Sequence, residues 1–187
     1  MSRTPSNMLP LGTSAADFRL LDTITQKMMS LNELKGVRGT VIFFICNHCP
    51  FVMHVNEELV GIANDYGDKG ISFIAISSND VVHYPQDGPE LMQKNAIELQ
   101  YPFPYLYDET QQVAKDYDAA CTPDSYLFDK ELKLVYRGQI DDSRPGNAVE
   151  VTGKDLRMAL DQLIKGEPVF KLQKPSIGCN IKWKLQE

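Results

Sequence analysis

The sequence lacks both a run of basic residues and a long apolar segment. Its 19 Lys and Arg residues are outnumbered by 25 Asp and Glu residues, so the formal net charge is −6. An acidic chain without a basic cluster does not attract phosphate backbones or anionic lipid headgroups. No apolar stretch approaches the roughly 20 residues that a bilayer-spanning helix requires. We therefore expect neither nucleic acid nor a membrane among the partners of this protein.

The chain also has few cysteines and no sign of an export signal. The first residues, MSRTPSNMLPLG, include one arginine but no continuous apolar segment behind it, so we expect a cytoplasmic protein. Glutathione and thioredoxin keep cytoplasmic thiols reduced. The four cysteines, Cys46, Cys49, Cys121 and Cys179, are therefore expected to react or to bind a metal rather than to cross-link the fold.

Hydrophobic periodicity predicts an α/β fold. Two short apolar runs, over residues 41–45 and 71–77, are typical of strands buried on both faces. Between them, apolar residues recur at helical spacing from Val52 to Tyr66. The remaining pattern predicts hairpins over residues 18–31 and 125–140, and helices over residues 88–99, 108–117 and 152–164.

This order of elements predicts a mixed central sheet that helices cover on both faces, preceded by an N-terminal hairpin. The sequence contains no internal repeat and no low-complexity segment. We expect residues 1–166 to form one domain, and residues 167–187 to form a C-terminal tail that packs on it. Residues 83–85 begin an insertion after the second buried strand that could form a wall of a pocket.

Residues 41–52, VIFFICNHCPFV, place two cysteines between a predicted strand and a predicted helix. A helix N-terminus carries about half a positive charge, and it lowers the pKa of a thiol from about 8.5 toward the 3.5–7.5 range. We expect Cys46 to lie at this helix start as an exposed thiol of low pKa that attacks substrates. Cys49 lies one turn further along, where a resolving thiol is needed.

His48, between the two thiols, is the third candidate catalytic residue. A protonated imidazole near Cys46 would favour the thiolate over the disulfide and make the couple more oxidising than thioredoxin. We expect a potential in the range of about −230 to −120 mV. The alternative interpretation is a solvated residue at the start of a helix.

The order of strand, Cys-X-X-Cys-Pro and helix resembles the thioredoxin fold. The upstream segments ADFRLLD, SLNELKG and VIFFI are similar to the redoxin group, which is the alkyl hydroperoxide reductase/thiol-specific antioxidant family with its thiol–disulfide relatives. Thr122-Pro123 matches the Thr-Pro of that family, whose proline is cis and packs against the active-site disulfide. The resemblance implies that Cys46 is the nucleophile, that Cys49 resolves, and that the Thr122-Pro123 backbone docks substrates.

The sequence departs from the family pattern in two ways that bear on chemistry. Peroxiredoxins carry a Pro-x-x-x-Thr/Ser-x-x-Cys loop around their reactive cysteine, and no such loop precedes Cys49. Thioredoxins keep a buried aspartate on the active-site strand as a base for the resolving thiol, whereas residues 40–45 contain no carboxylate. Asp124, Glu57 or water could take that role.

The other two cysteines admit two interpretations. Cys121 lies two residues before Pro123, so the fold should bring it close to the Cys-X-X-Cys segment. Each cysteine could be a small buried apolar residue. Alternatively, Cys121 and Cys179 form a second thiol pair that relays electrons or fixes the tail over the site. The tail could also provide a homodimer contact.

These features favour a cytoplasmic thiol–disulfide oxidoreductase whose partners are protein or low-molecular-weight thiols and disulfides. No organic cofactor or metal is expected. One alternative is a peroxiredoxin-like thiol peroxidase with antioxidant activity, in which Cys46 or Cys49 becomes a sulfenic acid. A second is a copper- or zinc-binding redoxin that uses Cys46, His48 and Cys49, with Cys121 as a further ligand. A third is a binding module with inert thiols.

Overall fold

The computed structural model describes residues 3–185. Its strands are β1 (Arg3–Pro5), β2 (Arg19–Asp22), β3 (Lys27–Ser30), β4 (Gly39–Phe44), β5 (Ile71–Ser77), β6 (Tyr105–Tyr107), β7 (Cys121–Thr122), β8 (Asp124–Asp129), β9 (Leu134–Gly138) and β10 (Ile177–Asn180). Its α-helices are α1 (Leu31–Leu34), α2 (Pro50–Gly67), α3 (Pro89–Glu98), α4 (Gln112–Asp116) and α5 (Lys154–Lys165). Within residues 3–185, no helix is long and apolar enough to cross a membrane.

Seven strands form the main sheet, in the order β3-β2-β6-β5-β4-β8-β9. The central strand β4 is parallel to β5 and antiparallel to β8, so the sheet is mixed. All six residues of β4 are buried, because helices cover the sheet on both sides. The predicted mixed sheet with helices on its two faces is therefore confirmed.

Alternate residues of β4 enter two separate hydrophobic cores, as the two-residue period of a strand requires. Val41 and Phe43 pack in the core that α2, α3 and α5 cover. Ile42 and Phe44 pack in the core that α1 and α4 cover. The cysteines of the Cys-X-X-Cys segment belong to the first of these cores, so the candidate site lies on the α2 face of the sheet.

A second sheet of three short strands, in the order β1-β10-β7, lies beside the main one. Both of its strand pairs are antiparallel. The pattern analysis predicts none of these strands, because each is at most four residues long and β10 falls in the predicted tail. The boundary between residues 166 and 167 stays a prediction, and residues 1–2 and 186–187 lie outside the described residues.

Two predicted helix starts are wrong, although at α4 the Asp108 carboxylate still accepts the Ala114 N–H over 3.0 Å. Asp108 and Thr152 were expected to cap α4 and α5, but Gln111 and Gly153 occupy the cap positions, both with left-handed backbone. The first N–H groups near α5 are instead satisfied from a distant loop: Asp141 accepts hydrogen bonds from the backbone of Thr152 and Gly153. Long-range partners of this kind leave no local sequence signal.

Candidate active site

The Cys-X-X-Cys segment connects the end of β4 to the start of α2. Ile45, just after β4, donates its N–H to the Ile76 carbonyl over 3.0 Å and so continues the sheet. Cys49 is the N-cap of α2, and its carbonyl accepts the N–H of Met53 over 2.9 Å. Pro50 occupies the first helical turn, where a missing N–H costs little. The helix start therefore falls at Cys49, whereas we predicted it at Cys46.

Both sulfurs are buried beneath Thr122. The exposed fraction of Cys46 is 2%, and that of Cys49 is 0%. The Cys46 Sγ lies 3.5 Å from the Thr122 hydroxyl, and the Cys49 thiol donates to the Thr122 carbonyl over 3.1 Å. The predicted exposure of Cys46 is therefore wrong, because the strand before the Thr122–Pro123 bond covers the thiols.

The two thiols share a hydrogen bond, and it separates their pKa values. The pKa of Cys49 is lowered to about 5, first by hydrogen bonding from Cys46 and further by Cys179 and the Val52 N–H. The pKa of Cys46 is raised well above its ordinary value by that same hydrogen bond, by burial and by the nearby Asp87 carboxylate. The hydrogen bond from Cys46 thus favours the thiolate on Cys49 and not on Cys46, which is the opposite of the predicted order.

His48 pairs with a buried carboxylate that the sequence analysis missed. Its Nδ1 lies 2.6 Å from Asp87 Oδ2, and its ring stacks on Tyr84 with centroids 5.6 Å apart. Asp87 is fully buried and also accepts hydrogen bonds from the Asn47 backbone N–H and the Asn79 side chain. The imidazole therefore faces the negative charge that disfavours a Cys46 thiolate, and its role in tuning the redox couple stays a prediction.

The segment that carries Cys46 and His48 lies beside Asp87, and these three side chains form a set of potential metal ligands. One ligand atom from each of Cys46, His48 and Asp87 lies within 4.8 Å of the others. A thiolate, an imidazole and a carboxylate together suit zinc. In this set Asp87 replaces the predicted Cys49, while its carboxylate already accepts several hydrogen bonds. The metal-binding alternative stays a prediction.

Thr122 and Pro123 lie where the resemblance places them, but their strand edge is occupied. The Thr122–Pro123 peptide bond is cis, which confirms that expectation. In β7, Thr122 pairs with Cys179 of β10. A Cβ on Gly178 would collide with the Thr122 carbonyl oxygen, so the close approach of these strands requires glycine. The edge that we predict to dock substrates therefore pairs with the chain's own tail.

The strand register separates Cys121 from Cys179. Cys179 is opposite Thr122, and Asn180 is opposite Cys121. Residues directly opposite each other share a face of the ladder, and successive residues alternate. Cys121 and Cys179 therefore lie on opposite faces, which disfavours the predicted pairing of these two thiols.

Cys179 instead belongs to the hydrophobic core that contains Cys46 and Cys49. Burial and hydrogen bonding to Cys49 raise its pKa to about 12. The Cys121 thiol lies 3.7 Å from the Pro123 carbonyl. Its pKa is raised by burial and by the charge of Asp124.

Two carboxylates, Asp124 and Glu57, are candidates for the base that deprotonates the resolving thiol. Asp124 is opposite Phe44 in the sheet and faces the core away from α2. It accepts a hydrogen bond from the Tyr126 hydroxyl over 3.1 Å, and burial raises its pKa to about 7. Glu57 is exposed on α2. Because the pKa of Cys49 is already low, Cys49 needs neither carboxylate to become a thiolate.

Comparison with known proteins identifies the family of the chain. The sequence model of the AhpC/TSA family matches residues 11–137. A relative named thiol-disulfide oxidoreductase ResA, from Bacillus thuringiensis, is 23% identical over 166 residues, which cover 87% of this chain and 81% of that protein. The ResA of Bacillus anthracis is 28% identical over 132 residues, or 68% of each chain.

Solved structures show the same fold. The crystal structure of an uncharacterized conserved protein from Geobacillus kaustophilus has a TM-score of 0.98 at 60% identity, and the match covers 100% of this chain and 99% of the other. The thioredoxin domain of a thiol-disulfide oxidoreductase from Bacteroides vulgatus has a TM-score of 0.59 at 22% identity, covering 69% of this chain and 88% of that domain. With its fold matched and more than half of its length covered by the family model, this protein belongs to the AhpC/TSA family of thioredoxin-like redoxins.

Proposed function

We propose that this protein is a thiol–disulfide oxidoreductase whose redox-active pair is Cys46 and Cys49. The observation that carries the proposal is the position of both sulfurs at the start of α2 against Thr122, next to the cis Thr122–Pro123 bond. The hydrogen bond from Cys46 also lowers the pKa of Cys49. A stabilised thiolate makes the dithiol form more favourable and the couple more oxidising. The relatives named thiol-disulfide oxidoreductases support the same reaction class.

The single proton that Cys46 and Cys49 share is used in both steps of the exchange, the attack by Cys46 and the resolution by Cys49. Cys46 passes its proton to Cys49 and attacks one sulfur of the substrate disulfide, which breaks the S–S bond and releases a thiolate. The released substrate thiolate takes this proton from Cys49, which becomes a thiolate again. The Cys49 thiolate then attacks the Cys46 sulfur of the mixed disulfide, so the substrate leaves fully reduced and Cys46–Cys49 becomes the disulfide. Cys46 acts first in this proposal because the family resemblance implies that the first cysteine of the pair is the nucleophile.

The substrates of this proposal are protein or low-molecular-weight disulfides, and the proposed location is the cytoplasm. A protein substrate that pairs with the Thr122 edge has to displace β10. A small disulfide needs only a path to the Cys46 sulfur.

A homodimer through the tail stays a prediction. In the tail, Ile181 is buried and Trp183 is 41% exposed.

A glutathione redox titration tests the proposal. Wild-type protein is expected to show one two-electron transition, with mass spectrometry assigning the disulfide to Cys46–Cys49. Cys46→Ser should abolish exchange with glutathione, and Cys49→Ser should accumulate a mixed disulfide on Cys46. Cys121→Ser is the matched control and should exchange like the wild type. Exchange that persists in Cys46→Ser contradicts the proposed roles.

A thiol peroxidase is the second candidate, because burial of both sulfurs admits a small peroxide more readily than a protein. Peroxide would convert the Cys49 thiolate to a sulfenic acid and release water, and Cys46 would then condense with it and release a second water. Stopped-flow measurement of peroxide consumption by the reduced protein decides between the two. Consumption at the rate of free cysteine rejects the peroxidase.

A further inference from the structure

Strand β10 holds a third thiol against the dithiol. Cys179 is 2% exposed and lies within hydrogen-bonding distance of Cys49. Its position is fixed by the register of β10 on β7, where it is directly opposite Thr122. The Thr122 hydroxyl and carbonyl contact the Cys46 and Cys49 sulfurs respectively. The pairing therefore places three thiols around one residue.

Three features keep Cys179 at this place. Gly178 lets β10 approach the Thr122 carbonyl more closely than any side chain would allow. On the other edge of β10, Arg3 of β1 pairs with Cys179. After β10, the Ile181 N–H donates to the Ala120 carbonyl over 3.1 Å. The thiol is thus held by backbone hydrogen bonds on both sides.

Building on the proposed function, we propose that Cys179 is a third redox-active thiol that exchanges with the Cys46–Cys49 disulfide by attacking Cys49. The Cys179 sulfur bonds to the Cys49 sulfur, and the Cys46–Cys49 bond breaks. The proton of Cys179 ends on Cys46, which leaves as a thiol. The step is an isomerisation, with one disulfide before and one after, and it needs no external oxidant or reductant.

The surroundings of the three sulfurs limit which thiols take part in the exchange. Cys46 leaves as the protonated thiol, because its hydrogen bond with Cys49, burial and the Asp87 carboxylate raise its pKa. Cys121 lies on the other face of the ladder and does not compete. The product ties β10 to α2 covalently and closes the Thr122 edge, while Cys46 is free to attack a further disulfide.

Disulfide mapping in the wild-type protein and in three variants tests the inference. Cys46→Ser is oxidised with diamide, blocked with an alkylating reagent, digested without reduction and examined by mass spectrometry. We expect a Cys49–Cys179 linked peptide from the majority of molecules, and the same link in Cys46→Ser/Cys121→Ser. The link should be lost in Cys46→Ser/Cys179→Ser. In oxidised wild-type protein, we expect the Cys49–Cys179 link together with alkylated Cys46 in part of the population.

The outcomes separate this inference from the proposed function. If wild-type protein forms the Cys46–Cys49 disulfide and exchanges with glutathione, but neither wild-type protein nor Cys46→Ser forms the Cys49–Cys179 link, only the inference is overturned. A Cys121–Cys179 link in place of Cys49–Cys179 overturns it as well. If wild-type protein forms no Cys46–Cys49 disulfide, the proposed function fails, and the exchange step that depends on it fails too.

Discussion

The two sheets of this protein meet at the dithiol and are built differently. The seven-stranded sheet has a fully buried central strand of six residues with helices on both faces, and it delivers Cys46 and Cys49 at the start of an 18-residue helix. The three-stranded sheet has strands of two to four residues. It delivers Thr122 and Cys179, which cover those thiols.

Because of this difference, the stability of the fold and the access of substrates to the dithiol should depend on different sheets. Long buried strands contribute most of the hydrophobic stabilisation, whereas short ladders are marginal and open locally at a small cost. The large sheet should therefore hold the dithiol in place, and the small sheet should control what reaches it. Substitutions in the two sheets are expected to act on different measurements.

The largest effect is expected from a core substitution in the large sheet. Phe43 is fully buried, with its ring centroid 6.2 Å from that of Phe73. Phe43→Ala should lower the free energy of unfolding by roughly 3–5 kcal/mol, because it leaves a cavity. Urea titration followed by circular dichroism measures this. Leu172→Ala is the control, since Leu172 is 95% exposed, and it should change the free energy by less than about 0.5 kcal/mol.

A substitution in the small sheet should change access more than stability. Gly178→Ala introduces a Cβ that collides with the Thr122 carbonyl oxygen, at an expected cost of roughly 1–3 kcal/mol to the β7–β10 pairing. Alkylation of the dithiol at pH 7 should become about tenfold faster or more, while the urea midpoint falls only slightly. Gly67→Ala is the matched control, because a Cβ at Gly67 meets nothing within 4 Å. Equal alkylation rates in the two variants would remove the covering role of β10.

The smallest effect is expected at the buried carboxylate beside the dithiol. Asp87 raises the pKa of Cys46, so Asp87→Asn should lower that pKa. The ionisation of Cys46, followed by thiolate absorbance at 240 nm, should move to lower pH by about one unit. Asp80→Asn is the control, because Asp80 makes an equivalent pair with His83. A Cys46 ionisation that does not move, or that moves to higher pH, contradicts the electrostatic role of Asp87.

The strongly patterned parts of the fold could be predicted from the sequence. The apolar run before Cys46 and the helical spacing from Val52 to Tyr66 correspond to β4 and α2, and the Ser30–Glu33 capping box is present at α1. β6 is only weakly marked in the sequence, because its three residues follow a proline-rich segment and gain their pairing from β2 and β5. Strands that short are defined by their partners and carry little local pattern.

At the site, the sequence predicted which residues meet but not how they share charge. Cys46, Cys49 and Thr122 come together as expected. Asp87 was missed because it ends a short 3₁₀-helix, Pro85–Asp87, that lies far along the chain from the cysteines. The sequence feature that could have indicated Asp87 is the segment after β5, which begins with His83 and ends in this acidic residue. The N-cap of α2 is Cys49, whereas the sequence analysis placed Cys46 there, three residues earlier. Cys49 is also the thiol whose pKa is lowered.

Thiolate absorbance at 240 nm as a function of pH tests the central claim most directly. Because the pKa of Cys49 is lowered, its thiolate should persist at pH 7 and be lost only as the pH falls through about 5. That transition should disappear in Cys49→Ser and remain in Cys121→Ser. A single transition near the ordinary cysteine pKa of about 8.5, or a low transition that survives in Cys49→Ser and vanishes in Cys46→Ser, would contradict the account.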